Sequence, residues 1–158
     1  MTAPARFAAG TDVPPERTRM EIETFVRRQG ADAFMVAGDA ERHVIQFRIK
    51  RRVVRFTVVV PPLASFKPAK LRPRESGNDA RARLRAAEDR RLWRALLLVL
   101  KAKFESVASG ITSFDHEFLA HLVTGTGETV GDQLAPRLET MLTSDAPMPA
   151  LALPAGGG

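Results

Sequence analysis

The stretch from Asn78 to Gly110 constrains the fold more than any other, because it sets the chain's largest apolar surface beside a dense row of Arg and Lys. At about 100° per residue, Leu92, Trp93, Leu96, Leu97, Val99, Leu100, Phe104 and Val107 fall in one arc roughly 160° wide, the pattern of an amphipathic helix facing a core. Arg83, Arg90, Arg94 and Lys101 line up within about 20° of another direction and form a cationic ridge. Ser76 and Asn78 are cap candidates at the start, with Asp79 three residues after Ser76 in a capping-box pattern. Gly110 is suited to the positive φ of a C′ position at the end. Unbroken, such a helix rises about 46 Å at 1.5 Å per residue. That is long for a small domain, so its Arg-rich first two turns are expected to project beyond the core.

The clearest strand signal is paired. His43 to Lys50 and Val53 to Val60 are rich in β-branched and aromatic residues, and a connection centred on Arg51-Arg52 pairs Ile49 with Val54, Phe47 with Phe56 and Ile45 with Val58. All three apolar pairs then share one face, an agreement that a one-residue slip would destroy. On the other face this register sets Arg48 opposite Arg55, with Gln46 and Lys50 alongside and Arg51 and Arg52 at the tip. Like charges directly opposite destabilise a sheet, so the cluster reads either as an anion site or as a solvated face whose arginines splay or meet acidic residues from elsewhere. A two-residue loop prefers Asn-Gly, and a four-residue loop fits the spacing equally. Ala33 to Ala37, closed by Gly38-Asp39, reads as a first strand.

Around this hairpin, Met1 to Pro15 reads as a disordered lead. Thr18 to Gln29 reads as a short amphipathic helix closed by Gly30. Pro61-Pro62 stops the second hairpin strand. Residues 63–77 form an exposed, mobile basic connector carrying Lys67, Lys70, Arg72 and Arg74. Thr112 with Asp115 and Thr129 with Asp132 mark the starts of two shorter helices, ending near Val123 and Leu142, with Gly125-Thr126-Gly127 a turn between them. Pro136 should bend or shorten the second of these. Residues 144–158 read as a disordered Pro/Ala/Gly tail in which Leu151 and Leu153 could serve as a docking peptide. The expected architecture is therefore one α+β domain over 16–143: a short helix, a small antiparallel sheet of about three strands, the long helix on its apolar face, and two further helices.

Charge narrows the function. The 24 Lys and Arg outnumber the 18 Asp and Glu, for a net +6 and an isoelectric point near 10.7, which favours an anionic partner. With no Cys, disulfides, Cys-ligated zinc, iron–sulfur clusters and thiol catalysis are excluded. The N-terminus lacks the apolar core of a secretion signal, and the run Ala95 to Leu100 is far short of the ~20 residues that span a bilayer. A cytoplasmic protein with no membrane contact is the expectation.

Chemistry-bearing motifs are few. His116-Glu117 with His121 departs from the zinc-protease pattern, since its histidines stand five apart, about 140° further round a helix, instead of four. Gly125, Gly127 and Gly131 match neither GxGxxG nor a P-loop. Ser106, Ser109 and Ser113 have no nucleophile-elbow context. No catalytic residue, metal or cofactor is assigned, although a hydrolase built from Asp115, His116, Glu117 and His121 stays conceivable. Asp89 and Lys103 fall inside the apolar arc of the long helix, either at the core edge or in ion pairs with other elements. Phe7 and Phe66 are the aromatic residues left without a core assignment, a thin basis for base stacking.

The run from Arg91 to Pro136, RLWRALLLVLKAKFESVASGITSFDHEFLAHLV followed by GETVGDQLAP, resembles a group of small uncharacterised phage and prophage proteins. The likeness extends back through GADAFMV and the hairpin, over about two-thirds of the chain. That group has no assigned activity, cofactor or catalytic residue to carry over. The resemblance implies a mobile-element setting, in which small basic proteins often handle DNA or RNA or inhibit a host nucleoprotein. Together these readings favour a non-enzymatic nucleic-acid binder. Arg48, Lys50, Arg51, Arg52 and Arg55 would contact phosphates, joined by the Lys67–Arg74 connector and the ridge of Arg83, Arg90, Arg94 and Lys101, as one surface without base reading. The alternative is an interaction module or inhibitor for an acidic protein surface, and loose sheet edges make a homodimer conceivable.

Overall fold

The computed structural model describes residues 6–142. Within them the chain is α+β: helix α1 (Pro15–Arg28), strands β1 (Ala33–Gly38), β2 (Arg42–Ile49) and β3 (Arg52–Val59), then helices α2 (Gly77–Ala108), α3 (Phe114–Phe118) and α4 (Val130–Leu142). The strands form one antiparallel sheet in the order β1-β2-β3. Residues 6–14, expected to be structureless, contain no helix or strand, yet Arg6 pairs with Glu88 of α2 and Arg90 donates to the Thr11 carbonyl. The 144–158 tail lies outside the described residues.

The hairpin register differs from the expected one by two residues. Ile49 faces Arg52, Phe47 faces Val54 and Ile45 faces Phe56, so the turn is Lys50-Arg51. Both turn residues have positive φ, 46° and 67°, as the two-residue turn that follows the strand twist requires. A shift of two keeps every side chain on its own face, so Ile45, Phe47, Ile49, Val54 and Phe56 are still the buried set. It does change who meets whom. Arg48 now faces Val53 and Arg55 faces Gln46, so the two arginines are not opposite each other. Between β1 and β2, Gly38 has φ 140°, and a Cβ there would stand 2.1 Å from the Arg42 carbonyl oxygen, so only glycine closes this turn.

Helix α2 is unbroken. Ser76 caps it by accepting from the Asp79 N–H at 3.1 Å, while the Asp79 carboxylate accepts from the Ser76 N–H, the reciprocal box the spacing predicts. Gly110 follows its last turn at φ 70°. Trp93, Leu96, Leu97, Leu100 and Phe104 are buried against the sheet and α1, which contributes Ile22 and Val26. Val99, expected in the same arc, is 42% exposed, because α1 and the sheet together cover a narrower stripe than the wheel outlines. The first turns do not project freely. Ala80 is fully buried, and Arg85 donates to the carbonyls of Pro61 and Ala40 at the far end of the sheet. Asp89 and Lys103 both reach other elements, Asp89 to His43 at 3.1 Å and Lys103 to the Glu117 carboxylate at 3.1 Å and its carbonyl at 2.8 Å.

Beyond α2 the chain departs from the expected helix. Ser113, not Thr112, caps α3 by accepting from the His116 N–H, and α3 gives way to a 3-10 turn at Leu119–His121. The chain then extends along the outer edge of β3: Leu122 bridges Val54, and the Val123 N–H donates to the Val53 carbonyl at 2.8 Å. An unpaired strand edge offers main-chain partners that a continued helix could not use, and tertiary pairing wins over local propensity. Helix α4 begins at the predicted Thr129–Asp132 box and continues through Pro136 to Leu142. Gly131 allows close packing there, since a Cβ would meet the Ala120 carbonyl at 2.7 Å.

Candidate nucleic-acid interface

The residues that strand alternation and helix periodicity single out fall into four groups with different fates. On the outer sheet face, Arg48 Nε bonds Asp32 Oδ1 at 2.8 Å. Arg55 is fixed by Gln46 at 3.1 Å and the Gly127 carbonyl at 2.8 Å. Arg52 lies on the opposite, core-side face at the strand end and holds Asp115 with both Nε and Nη2. The guanidinium beside each carboxyl keeps Asp32 and Asp115 below the usual carboxylate range and raises Arg48 and Arg52. These exposed pairs contribute little to stability. They do neutralise the face locally, and a phosphate would have to displace an internal carboxylate.

The α2 ridge is likewise occupied. Arg83 makes two bonds to Glu75, at 2.8 and 3.1 Å, and that contact, with the Arg72 N–H, pulls the Glu75 carboxyl down to about 2. Arg94 pairs with Glu21 of α1 at 2.8 Å. Arg90 is bound to the Thr11 carbonyl at 3.1 Å. Lys101 alone of the four is exposed, opening with Arg17 and Arg28 onto a hollow of about 380 Å³ between α1 and α2. Arg90 and Arg94 thus lie in a seam against the N-terminal segment and α1, Arg83 is turned to Glu75, and Lys101 is left open, so the ridge is not one open flank.

Among the described residues, two groups stay outside any close ion pair. At the hairpin tip, Lys50 and Arg51 are exposed, and among the described residues neither side chain has a hydrogen bond or carboxylate partner. In the connector, Lys67, Lys70, Arg72 and Arg74 are all exposed, and their side chains make no hydrogen bond or close ion pair among the described residues, although the charge of Arg72 acts on the Glu75 carboxylate. Arg74 has φ 63°, a left-handed conformation that costs a non-glycine residue strain. Sequence reasoning missed Arg81, which is exposed on the first turns of α2 beside this segment. Its place in the same Arg-rich run was the available signal.

The tip and the connector do not form one surface. β3 runs from the tip to the Pro61 end, where Arg85 anchors the chain, and its eight residues at ~3.3 Å each separate the two groups by about 26 Å. The single contiguous surface expected from the sequence is therefore split into two cationic poles at opposite ends of the sheet.

Among the described residues, the side chains of Asp115, His116, Glu117 and His121 have separate surroundings. His116 is exposed, Glu117 is bound by Lys103, and His121 stacks on Phe56 at 3.9 Å, its pKa lowered by burial and then by Lys103. The hollow of about 400 Å³ beneath the hairpin tip is lined by Ile49, Phe104 and Phe114, and of the four residues in question only Asp115 reaches it. Among the described residues no group of three His, Cys, Asp or Glu side chains is placed to hold a metal ion, and no helix is long and apolar enough to cross a membrane. No protein-family model, curated protein or solved structure matches this chain.

Proposed function

We propose that this protein is a non-enzymatic binder of nucleic acid that contacts phosphates without reading sequence, through the connector first and the hairpin tip second. The observation that carries the reading is the charge of residues 63–83. Lys67, Lys70, Arg72, Arg74, Arg81 and Arg83 stand there against only Glu75 and Asp79, a surplus of four, and all but Arg83 are exposed. Irregular backbone, which after the 3-10 turn Leu63–Ser65 carries exposed Lys and Arg, suits phosphate contact, and no base-reading motif is present. Arg48, Arg52, Arg83 and Arg94 are left out of this surface, since the fold already uses their charge.

The test is an electrophoretic titration of nuclease-treated protein with single- and double-stranded oligonucleotides at two salt concentrations. Affinity falls with salt, and the substitution K67A/K70A/R72A/R74A makes the slope of log K on log salt shallower. The change is about 0.9 for each phosphate no longer neutralised on duplex DNA, or about 0.7 on a single strand. R48A/R55A leaves the slope unchanged, the reverse of what the sequence-derived register implies. Absence of binding to every oligonucleotide at low salt would overturn the reading.

A second reading rests on Leu71, which is 56% exposed amid the connector cations. An apolar side chain ringed by positive charge fits an acidic protein surface with an apolar socket. Binding to a protein partner that survives nuclease treatment and is lost in Leu71→Ser would favour it.

A further inference from the structure

The sheet has two edges, and among the described residues β3 is covered over its hairpin half while β1 is covered nowhere along its length. β3 is flanked by Leu122 and Val123 and by Arg55 reaching the Gly127 carbonyl. Along β1, among the described residues, no hydrogen bond from outside the sheet reaches residues 33–38. The Asp39 N–H donates to the Arg42 carbonyl, and in an antiparallel ladder alternate residues face the partner. The odd-numbered residues of β1 therefore bond β2, and the N–H and C=O of Phe34 and Val36 point to the open edge.

Soluble proteins guard such an edge with Lys, Pro, a bulge or a covering element. The strand Ala33-Phe34-Met35-Val36-Ala37-Gly38 has no charge and no proline. Met35 is 47% exposed on the outer face, and Phe34 and Val36 are only half-buried against the core.

We propose that β1 pairs with β1 of a second copy about a two-fold axis, joining the two sheets into one antiparallel six-stranded sheet. A second copy fits because the pairing is self-complementary. With Val36 opposite Val36, Phe34 stands opposite Gly38 and Met35 opposite Ala37, so every edge-facing residue meets another edge-facing residue and each side-chain pair is apolar. Closed two-fold pairing also removes both open edges at once, where a head-to-tail contact would leave one. Two outer-face cations flank β1: Arg48 at its start is held by Asp32, and Arg42 at its other end, which lines one hollow with Met35 and Ala37, is offset by the charge of Asp39. The exposed cations of the hairpin tip and the connector lie toward the two ends of the sheet. Antiparallel pairing reverses the partner, so each end of the joined sheet carries one copy's tip and the other's connector. The dimer itself does not depend on the nucleic-acid reading.

The test is sedimentation equilibrium of the full chain from about 1 μM to 1 mM, the range for a small edge interface. The mass should move toward twice the 17.3 kDa of the chain. Met35→Lys, at an exposed position, should raise the dimer dissociation constant about tenfold or more by adding an edge charge. Val36→Pro should abolish the dimer without removing an intrachain hydrogen bond, since the N–H it deletes faces outward. Circular dichroism identifies which variants are folded. Amide exchange at Phe34 and Val36 should slow as the chain concentration rises. A wild-type chain monomeric at about 1 mM, a dimer whose Phe34 and Val36 amides exchange as fast as the monomer's, or a dimer unmoved by folded Met35→Lys would each overturn the proposal.

Discussion

Lys50 and Arg51 occupy a turn where this chain accepts a local cost at two successive residues. Left-handed backbone at both positions suits Asn-Gly far better than two long cationic side chains, whose Cβ crowds the following carbonyl. Replacing them with K50N/R51G should raise stability by about 1 to 2 kcal/mol, read as a higher urea midpoint with an unchanged slope. The same variant should bind oligonucleotides more weakly at low salt if the tip contacts phosphate. Arg48 and Arg52 show the opposite case. Both are prominent in the sequence as part of a cationic cluster, and both are spent on Asp32 and Asp115. No local pattern announces those partners, because Asp32 lies 16 residues and Asp115 63 residues away in the chain.

Among the elements, α2 organises the rest, and its two ends are held by different means. The C-terminal half is buried through Leu96, Leu97, Leu100 and Phe104, with Phe104 in an aromatic cluster whose centroids lie 5.0 Å from Phe118 and 5.6 Å from Phe25. The N-terminal turns have Ala80 as their one buried residue before Trp93, and rely on the cap box and on the Arg83–Glu75 and Arg85 contacts. Ser76→Ala should therefore cost about 1 kcal/mol. Hydrogen exchange should locate the loss in the first turns of α2, with the amides around Leu100 unchanged. The region after α2 is likewise shaped by its surroundings. Its sequence has helical signals to Val123, but β3 recruits Leu122 and Val123 to its edge and the helix stops at Phe118.

At the scale of the molecule, a net charge of +6 coexists with a surface on which many guanidiniums are answered internally. The carboxyls of Asp32, Asp39, Glu75, Glu88, Asp115 and Asp132 are all lowered, each chiefly by a hydrogen bond to its charged form. A carboxyl lowered on folding stabilises the native state above its unfolded pKa, and that contribution is lost as pH falls toward the folded value. Glu75, moving from 4.5 to about 2, defines the window. The thermal midpoint should fall steadily as pH drops through it, and Glu75→Gln, less stable than the parent at about pH 6, should converge with it near about pH 2. Periodicity and turn chemistry in the sequence were enough to determine the α+β class, the buried face of the hairpin, the span of α2 and the caps at Ser76 and Thr129, because each depends on residues a few positions apart. The hairpin register, the partners of Arg48, Arg52, Arg83 and Arg94, the separation of the two cationic poles and the bare edge of β1 were decided only in three dimensions. Charge neutralisation and edge coverage depend on which distant segments meet, and a linear chain does not encode that in any local spacing.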